Sequence, residues 1–376
     1  MTGVFLYGTL RHLPLLEMVL GRAVAQADLI PAVFGHHKAV WAKGQGFPLI
    51  VTEVGAQADG ILFANATDHD LEMLDFYEGG FGYQRGPVTV MTEAGDTVET
   101  TIWWPPTEGV TPGEPFDLAD WVDTWGAINT RAALEIMGYR GQYSAQKVAS
   151  MFGMIQSRAA CWVRAQSEQQ PKMKSGLARK DVRTQQLKRP YANYFAMEEQ
   201  LLEFRRFDGA FSETLDRGVF LTPDVAMVLP YDPKRDRVLM VEQFRMGPWV
   251  RGDVEPWQYE CVAGRVDPGE TPEHCARREA EEEAGLKLDE LIEVHQGYAS
   301  PGATTEYYYA YLALMDLPDS LAQVGGLESE AEDIRSHLVG FDDLMTMLDC
   351  GQLRVTPLAM SVLWLARNRN RLRAGA

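Results

Sequence analysis

Short apolar runs separated by turn residues dominate roughly the first 125 positions of the chain. Residues 4–7 form an apolar run that stops at Gly8, and residues 88–90 and 100–104 show the same strand-like pattern. Residues 68–74 begin with acidic side chains and place their leucines on one face, which predicts a helix. Strands and helices do not alternate regularly, so the pattern predicts an α+β domain over 1–125.

Beyond this domain the pattern becomes helical and basic. Residues 158–189 contain nine Lys or Arg against two acidic residues, in a chain whose formal net charge is −18. Such a run is usually a solvated face or a docking strip against an acidic neighbour, although a phosphate or RNA contact is an alternative. We predict a helical basic linker over 126–186.

The remaining residues, 187–376, again have the pattern of a compact domain. The apolar runs 225–229 and 238–241 predict two strands joined by a turn-rich connection. A helix is expected from Thr271, a further strand at 306–314, and a helix over about 356–370.

Composition narrows the class of protein. The 376 residues are 46% hydrophobic and 23% charged, which is typical of a soluble globular protein and excludes disorder. The length suggests two or three domains, and no apolar run is long enough for a transmembrane helix. A charge of −18 argues against general nucleic-acid binding and favours sites that collect divalent cations.

Cysteine usage and the first residues predict a compartment. The chain begins without a basic stretch or a signal-type apolar segment, and no membrane association is expected. Its four cysteines show no CxxC spacing; they stand at 161, 261, 275 and 350. We therefore expect a reduced, cytoplasmic protein.

The most informative segment is an acidic helix in the last domain. Thr271 can cap it, Pro272 suits its first position and Gly285 can end it. On a helix with 3.6 residues per turn, Glu279, Glu282 and Glu283 share one face. Like charges on one face destabilise a helix unless a cation neutralises them, and hard oxygen ligands select Mg²⁺ or Mn²⁺.

A solvated acidic face would explain Glu281-Glu282-Glu283 alone, but not the residues around it. A glycine-rich turn with Glu270 precedes the helix, and Arg278 stands beside Glu279. From Gly264 to Leu286 every fixed position of the pattern G-x5-E-x7-R-E-U-x-E-E-x-G-U, with U apolar, is met. Residues 187–376 therefore resemble a Nudix hydrolase.

The resemblance implies an α/β/α sandwich that cleaves a nucleoside diphosphate linked to a second moiety, using Mg²⁺ or Mn²⁺. It implies that Glu279 and Glu283 are the principal metal ligands and that Glu282 assists in metal binding and catalysis. Glu270 would support the loop, and the backbone carbonyl of Ala263 would add a ligand. The metal would neutralise the pyrophosphate and orient a water.

Flanking segments resemble the ADP-ribose pyrophosphatase branch of this family. These segments are 242–245, 256–264, 299–306 and 328–334. The likeness implies Glu330 as the general base and Glu332 as a further metal ligand. A surface acidic loop is the alternative explanation of these two residues.

The same likeness implies a set of substrate-binding residues. They are Tyr194 or Phe195 stacking on adenine, Arg217 and Arg245 contacting the pyrophosphate and ribose side, and Glu306 hydrogen-bonding the substrate. Plain core packing is the alternative for the two aromatic residues. A structural ion pair is the alternative for Arg245.

The expected reaction converts ADP-ribose and water to AMP and ribose 5-phosphate. Alternatives are hydrolysis of another nucleoside diphosphate sugar or a dinucleotide, and a sensor that binds ADP-ribose without hydrolysing it. A complete carboxylate set argues against a pure sensor. Members of the branch are usually homodimers, so the resemblance also implies a homodimer.

The first domain carries a second recognisable pair of motifs. A turn of Tyr7, Gly8, Thr9 and Leu10 follows a strand, and Glu78 lies about seventy residues further on, before 83–85. These motifs resemble the γ-glutamylcyclotransferase-like family, whose fold is a mixed β-barrel with helices. The turn would offer N–H groups to a substrate carboxylate, and Glu78 would be the acid or base, in a desolvated setting that raises its pKa. A purely structural domain is the alternative.

The fold class predicted for the whole chain is therefore α+β. A γ-glutamylcyclotransferase-like barrel would be followed by the helical linker and a Nudix sandwich. This order resembles that of some two-domain bacterial proteins associated with tellurite resistance.

Overall fold

The computed structural model describes most of the chain. The described residues are 3–167, 173, 175–321, 324–325 and 333–375. Contacts divide the chain into two compact units, Met1–Lys172 and Met173–Ala376. No helix of the described residues is long and apolar enough to cross a membrane.

The first unit is built on a closed barrel. Its strands are β1 (Val4–Leu6), β2 (Leu29–Ala42), β3 (Pro48–Phe63), β4 (Gln84–Thr92), β5 (Thr97–Trp104) and β6 (Pro112–Pro115). They are ordered β3-β1-β5-β4-β2-β6, and a further β2–β3 pairing closes the first five into a barrel. β1 runs parallel to β5, and the other pairings are antiparallel. The interior is filled by apolar side chains, including Phe5, Leu62 and Ile102.

Helices cover this barrel. They are α1 (Leu13–Leu20), α2 (Asp68–Gly79), α3 (Leu118–Trp121), α4 (Ala127–Gly138), α5 (Ala145–Ala149) and α6 (Phe152–Ser167). Helix α2 has a reciprocal capping box, in which the Thr67 hydroxyl accepts from the Asp70 N–H and the Asp70 carboxylate accepts from the Thr67 N–H. The predicted helix at 68–74 is therefore confirmed and continues to Gly79.

The second unit has two sheets. A small antiparallel sheet contains β7 (Val182–Ala192), β8 (Ala196–Phe204) and β9 (Leu215–Leu221). The larger sheet contains β10 (Val225–Asp232), β11 (Arg237–Phe244), β12 (Trp257–Glu260), β13 (Val262–Arg265), β14 (Ile292–Tyr298), β15 (Tyr307–Leu314), β16 (Val324–Gly325) and β17 (Ile334–Gly340). Its helices are α7 (Met246–Arg251), α8 (Pro272–Ala284), α9 (Phe341–Asp349) and α10 (Thr356–Ala374).

The larger sheet lies between two helical layers. Along β10, Ala226 and Val228 face a core shared with α8, whereas Met227 and Leu229 face a core shared with α9 and α10. This alternation follows from the two-residue period of a strand. It confirms the predicted α/β/α sandwich and, with the barrel, the α+β class.

The segment 126–186, predicted as a linker, is divided between the two units. Helix α4 packs against α1, α2 and α6, so the helical part belongs to the first unit. Arg158 of the basic run is buried and forms an ion pair of 2.6 Å with Glu135 of α4. The end of the segment enters β7 of the second unit. Net charge and helix propensity along the segment do not show that Arg158 pairs with Glu135.

Candidate active sites

A cavity of about 720 Å³ in the second unit lies beside the acidic helix. Glu279 and Glu282 of α8 line it, together with Ala263 and Gly264 of β13. The Thr271 hydroxyl caps α8 by accepting from the His274 N–H at 3.2 Å. Gly285 ends the helix at a φ of 65°, which favours glycine. The predicted helix boundaries are confirmed.

Arg278 connects the acidic residues of this site. Its Nη1 donates to Glu279 Oε1 at 2.6 Å and to Glu282 Oε2 at 2.9 Å. Its Nε and Nη2 donate to the two carboxylate oxygens of Glu270, each at 3.2 Å. The guanidinium therefore neutralises part of the like charge that would destabilise the helix. The sequence pattern identified this arginine but assigned it no role.

Glu270 anchors the loop before the helix. Its carboxylate also accepts from the Asp267 N–H at 3.1 Å and contacts His274 Nδ1 at 2.6 Å. Burial acts to raise the pKa of Glu270, but hydrogen bonds from Arg278, His274 and the Asp267 N–H outweigh it and lower the pKa. This geometry supports the interpretation of Glu270 as a loop-supporting residue.

Close packing of β13 on α8 depends on Gly264. A Cβ atom at this position would lie 1.9 Å from Glu279 Oε1 and 2.0 Å from its Cδ. Because glycine has no side chain, the Glu279 carboxylate can occupy the space that a Cβ atom would fill. The first glycine of the pattern therefore has a steric role.

Glu283 is placed differently from its neighbours. It is 3% exposed, and its Oε2 accepts from the Ala263 N–H at 3.1 Å. It therefore holds the strand that carries the Ala263 carbonyl. Glu283 is not among the residues lining the cavity.

The residues present suit a hard divalent cation in their chemistry. Glu279, Glu282 and the Ala263 carbonyl offer oxygen donors, and Gly264 leaves room for a carboxylate between strand and helix. Among the described residues, no group of three or more His, Cys, Asp or Glu side chains is gathered as a metal cluster. Arg278 lies between the carboxylates instead, so the carboxylates would have to exchange this partner for a metal.

The aromatic residues expected at the nucleobase end do line the cavity. Tyr194 and Phe195 connect β7 to β8 and are 48% and 36% exposed, so core packing does not explain them. Their rings meet edge to face at 4.7 Å, and the Arg265 guanidinium lies 4.8 Å from the Tyr194 ring centre. Phe220 supports Phe195 at 5.0 Å.

Arg245 lines the cavity but is held by a carboxylate. Its Nε and Nη2 donate to the two oxygens of Glu260 at 2.8 and 2.7 Å. The ion-pair alternative is thus observed, and the pair still presents a cation to the cavity. Glu306 also lines the cavity, and burial raises its pKa.

One predicted residue, Arg217, is not brought to this cavity. Arg217 on β9 is exposed and donates to the Asp216 carbonyl at 3.0 Å; the described cavity lining does not include it. β9 belongs to the small sheet, and its register places Arg217 opposite Gln200. Glu330 and Glu332 lie outside the described residues.

Sequence reasoning missed several cavity residues. Arg251, Arg265 and Arg354 add cationic groups to the lining, and Gln258 and Tyr308 add polar groups. Arg354 lies two residues before the start of α10, far along the chain from the acidic helix. Only the tertiary contact reveals it, because no motif includes it.

A second cavity, of about 480 Å³, lies in the first unit. Tyr7, Gly8, Thr9 and Leu10 line it together with Glu78, so the structure brings the two predicted motifs together. A Cβ atom on Gly8 would lie 2.9 Å from Pro48 Cγ, which accounts for glycine in the turn.

Glu78 is the one carboxylic acid among the described residues that line this cavity. Its surroundings include Tyr77, Tyr83 and Trp103, which also line the cavity. Burial away from water raises the pKa of Glu78 to about 7. An acid that titrates near neutrality can move a proton in either direction at physiological pH.

Replacing Glu78 by glutamine is expected to change how stability depends on pH. The folded-state pKa of about 7 exceeds the ordinary value of 4.5, so between these values the folded state holds more protons than the unfolded state. Stability of the wild type should therefore fall as pH rises from 4.5 to 7. By the linkage relation, this loss is at most about 3 kcal/mol.

Melting temperatures of the wild type and Glu78→Gln, measured at pH 5 and pH 8, test this expectation. The variant should gain stability relative to the wild type at the higher pH. An equal difference at both pH values would contradict a raised pKa for Glu78.

Comparisons with known proteins agree with the division of the chain into two units. The family model for the NUDIX domain matches residues 221–358. The model for "Gamma-glutamyl cyclotransferase, AIG2-like" matches residues 4–123.

Individual relatives match about half of the chain. The ADP-ribose pyrophosphatase of Escherichia coli (strain K12) is 32% identical over 183 residues, covering 49% of this chain and 87% of that protein. A GDP-mannose pyrophosphatase of Escherichia coli O1:K1 / APEC is 32% identical over 166 residues, covering 43% and 83%. A solved structure titled "Crystal structure of ADP compounds hydrolase" is 20% identical, covers 50% of this chain and 96% of that chain, and aligns with a TM-score of 0.38.

The chain belongs to the Nudix hydrolase family through its second unit, and a γ-glutamyl cyclotransferase, AIG2-like domain precedes that unit. Nudix hydrolases generally use divalent metal ions and act on nucleoside diphosphate derivatives. The resemblance to a Nudix hydrolase and to the cyclotransferase-like family is thereby confirmed.

Proposed function

We propose that the second unit hydrolyses the pyrophosphate of ADP-ribose to AMP and ribose 5-phosphate with Mg²⁺ or Mn²⁺. One observation carries the proposal: a single cavity joins the carboxylates Glu279 and Glu282 to the aromatic pair Tyr194 and Phe195. An oxygen-rich end suits a metal-bound pyrophosphate, and an aromatic end suits a nucleobase.

The cationic lining fits the charge of this substrate. Four arginines line the cavity: Arg245, Arg251, Arg265 and Arg354. Guanidinium groups bind phosphate oxygens through paired N–H donors. Arg245 would orient the pyrophosphate while Glu260 fixes its guanidinium plane. Arg217 is proposed as a further contact to the substrate. This proposal rests only on the resemblance to the ADP-ribose pyrophosphatase branch.

The metal would be held by Glu279, Glu282 and the Ala263 carbonyl, with Glu283 and Glu332 as the other proposed ligands. When bound, it would neutralise the pyrophosphate and lower the pKa of a coordinated water. Glu283 positions the Ala263 strand through its hydrogen bond to the N–H. Glu330 is proposed to accept the proton of the attacking water, and Glu306 to hydrogen-bond the substrate.

Steady-state hydrolysis with Mg²⁺ tests the proposal. ADP-ribose is compared with GDP-mannose, other nucleoside diphosphate sugars and dinucleotides, with the products separated by chromatography. ADP-ribose should be the best substrate and give AMP and ribose 5-phosphate. Preference for another member of the panel would retain the Nudix site and discard the substrate. Tight ADP-ribose binding without turnover would favour the sensor instead.

A second function is proposed for the first unit, on the position of Glu78 in its cavity. In γ-glutamyl cyclotransfer, the α-amino group of the substrate attacks its own γ-carbonyl carbon, and the amine on that carbon leaves. Glu78 would accept the proton from the attacking nitrogen and return it to the leaving amine. A homodimer, a cytoplasmic location and the link to tellurite resistance stay predictions.

A further inference from the structure

One wall of the first unit's cavity comes from outside the region that matches the cyclotransferase family. The matched region is 4–123, whereas Asn129 of α4 and Phe152 and Gln156 of α6 line the cavity. This wall, here called the helical wall, is defined by these three residues. The family match assigns no role to it.

The helical wall presents a pair of side-chain amides. Gln156 Nε2 donates to Asn129 Oδ1 at 2.9 Å, and Asn129 is only 6% exposed. Within the described part of the chain, no other hydrogen bond involves either side-chain amide. Each amide has an NH₂ group with two N–H donors and one carbonyl, so the pair retains both N–H donors of Asn129, one N–H of Gln156 and the carbonyl of Gln156 for a ligand.

Buried polar groups in proteins are normally hydrogen-bonded. A donor and an acceptor retained side by side at a cavity wall therefore match a ligand group that also donates and accepts. A carboxamide or a peptide unit has this pattern, whereas a carboxylate only accepts.

The charges of the residues that line the cavity also favour an uncharged ligand group at the helical wall. Among the described residues that line this cavity, Glu78 is the only charged one. No arginine or lysine is therefore available there to compensate an anionic group at the helical wall. Phe152, which meets Phe81 edge to face at 5.0 Å, adds apolar surface. Burying an unpaired anion against such surface is costly.

We infer that this cavity binds γ-glutamyl compounds whose leaving group ends in an uncharged amide, and that Asn129 and Gln156 recognise that amide. The inference rests on the proposed function of the first unit. Glu78 would act at the γ-glutamyl carbonyl, while the helical wall selects the other end of the ligand. Asn129 and Gln156 are specificity residues and have no part in the bond-making step.

Binding of two matched probes to the full chain tests the inference. The probes are γ-glutamyl-alaninamide and γ-glutamyl-alanine, which differ only in a terminal carboxamide or carboxylate. Titration calorimetry with Glu78→Gln, which blocks turnover, should show the amide binding at least about tenfold more tightly. Gln156→Met should weaken binding of the amide probe about tenfold and reduce the difference between probes.

Gln146→Met is the matched control, because Gln146 lies on neighbouring α5, is exposed and does not line the cavity. Melting temperatures confirm that each variant is folded. Equal affinity for the two probes, or an unchanged affinity in Gln156→Met, would overturn recognition of the amide while leaving the γ-glutamyl site intact. Failure of both probes to bind would overturn the inference together with the proposed function of this cavity.

Discussion

Glu282→Gln is expected to keep the fold and to lower hydrolysis of ADP-ribose by about 10²- to 10³-fold. A metal ion contributes several kcal/mol of charge stabilisation in the transition state, which corresponds to a loss of this size. Glu282 lines the cavity, and its side chain is 30% exposed. The amide has nearly the same shape, so packing should be preserved. Turnover with Mg²⁺ and the melting temperature are the two measurements.

The adjacent glutamate provides a matched control for this substitution. Glu281 is 62% exposed and contacts Lys287 at 3.7 Å, and it does not line the cavity. Glu281→Gln removes the same charge from the same turn of helix, so it should retain wild-type turnover. If Glu282→Gln is as active as Glu281→Gln, then Glu282 is neither a metal ligand nor a catalytic residue.

Gly264→Ala is expected to lower hydrolysis by about 10²-fold or more, although only one methyl group is added. The new Cβ would lie 1.9 Å from Glu279 Oε1, so the carboxylate or the strand must move. A displacement of about 1 Å in a catalytic group can lower a rate by about 10²-fold. Overpacking of this kind also destabilises a core by about 1–3 kcal/mol.

Gly302→Ala separates the steric effect from the loss of a glycine. A Cβ at Gly302 would have no atom within 4 Å, so this variant should retain both activity and stability. Steady-state rates and chemical unfolding of the two variants are compared in parallel. Wild-type activity in Gly264→Ala would show that Glu279 does not need its present position.

The acidic helix was largely predictable because its signals are local. Thr271 and Gly285 act within one turn of the helix ends, and the spacing of Glu279 and Glu282 follows from helix geometry. Strands β1, β4 and β5 were recognised for the same reason, from short apolar runs, whereas β2, β3 and β6 were not. Closure of the barrel was not visible in these local patterns, because the β1–β3 and β1–β5 pairings join segments that are distant in the sequence.

The roles of several charged residues depended on partners distant in the sequence. Arg158 was counted in a basic linker, but tertiary packing pairs it with Glu135. Arg245 was expected at the pyrophosphate, and Glu260 on the neighbouring strand holds it. Charge along a sequence does not specify such partners, because side chains pair across strands and helices.

The sequence by itself determined the Nudix pattern, the cyclotransferase-like motifs and the order of the two domains, since each depends on residue type at fixed spacing. The tertiary structure decided which side chains share a cavity. It brought Arg354 to the cavity that Glu279 and Glu282 line, it paired Asn129 with Gln156, and it desolvated Glu78. These outcomes depend on packing between distant segments, which controls solvent access and therefore pKa and hydrogen bonding.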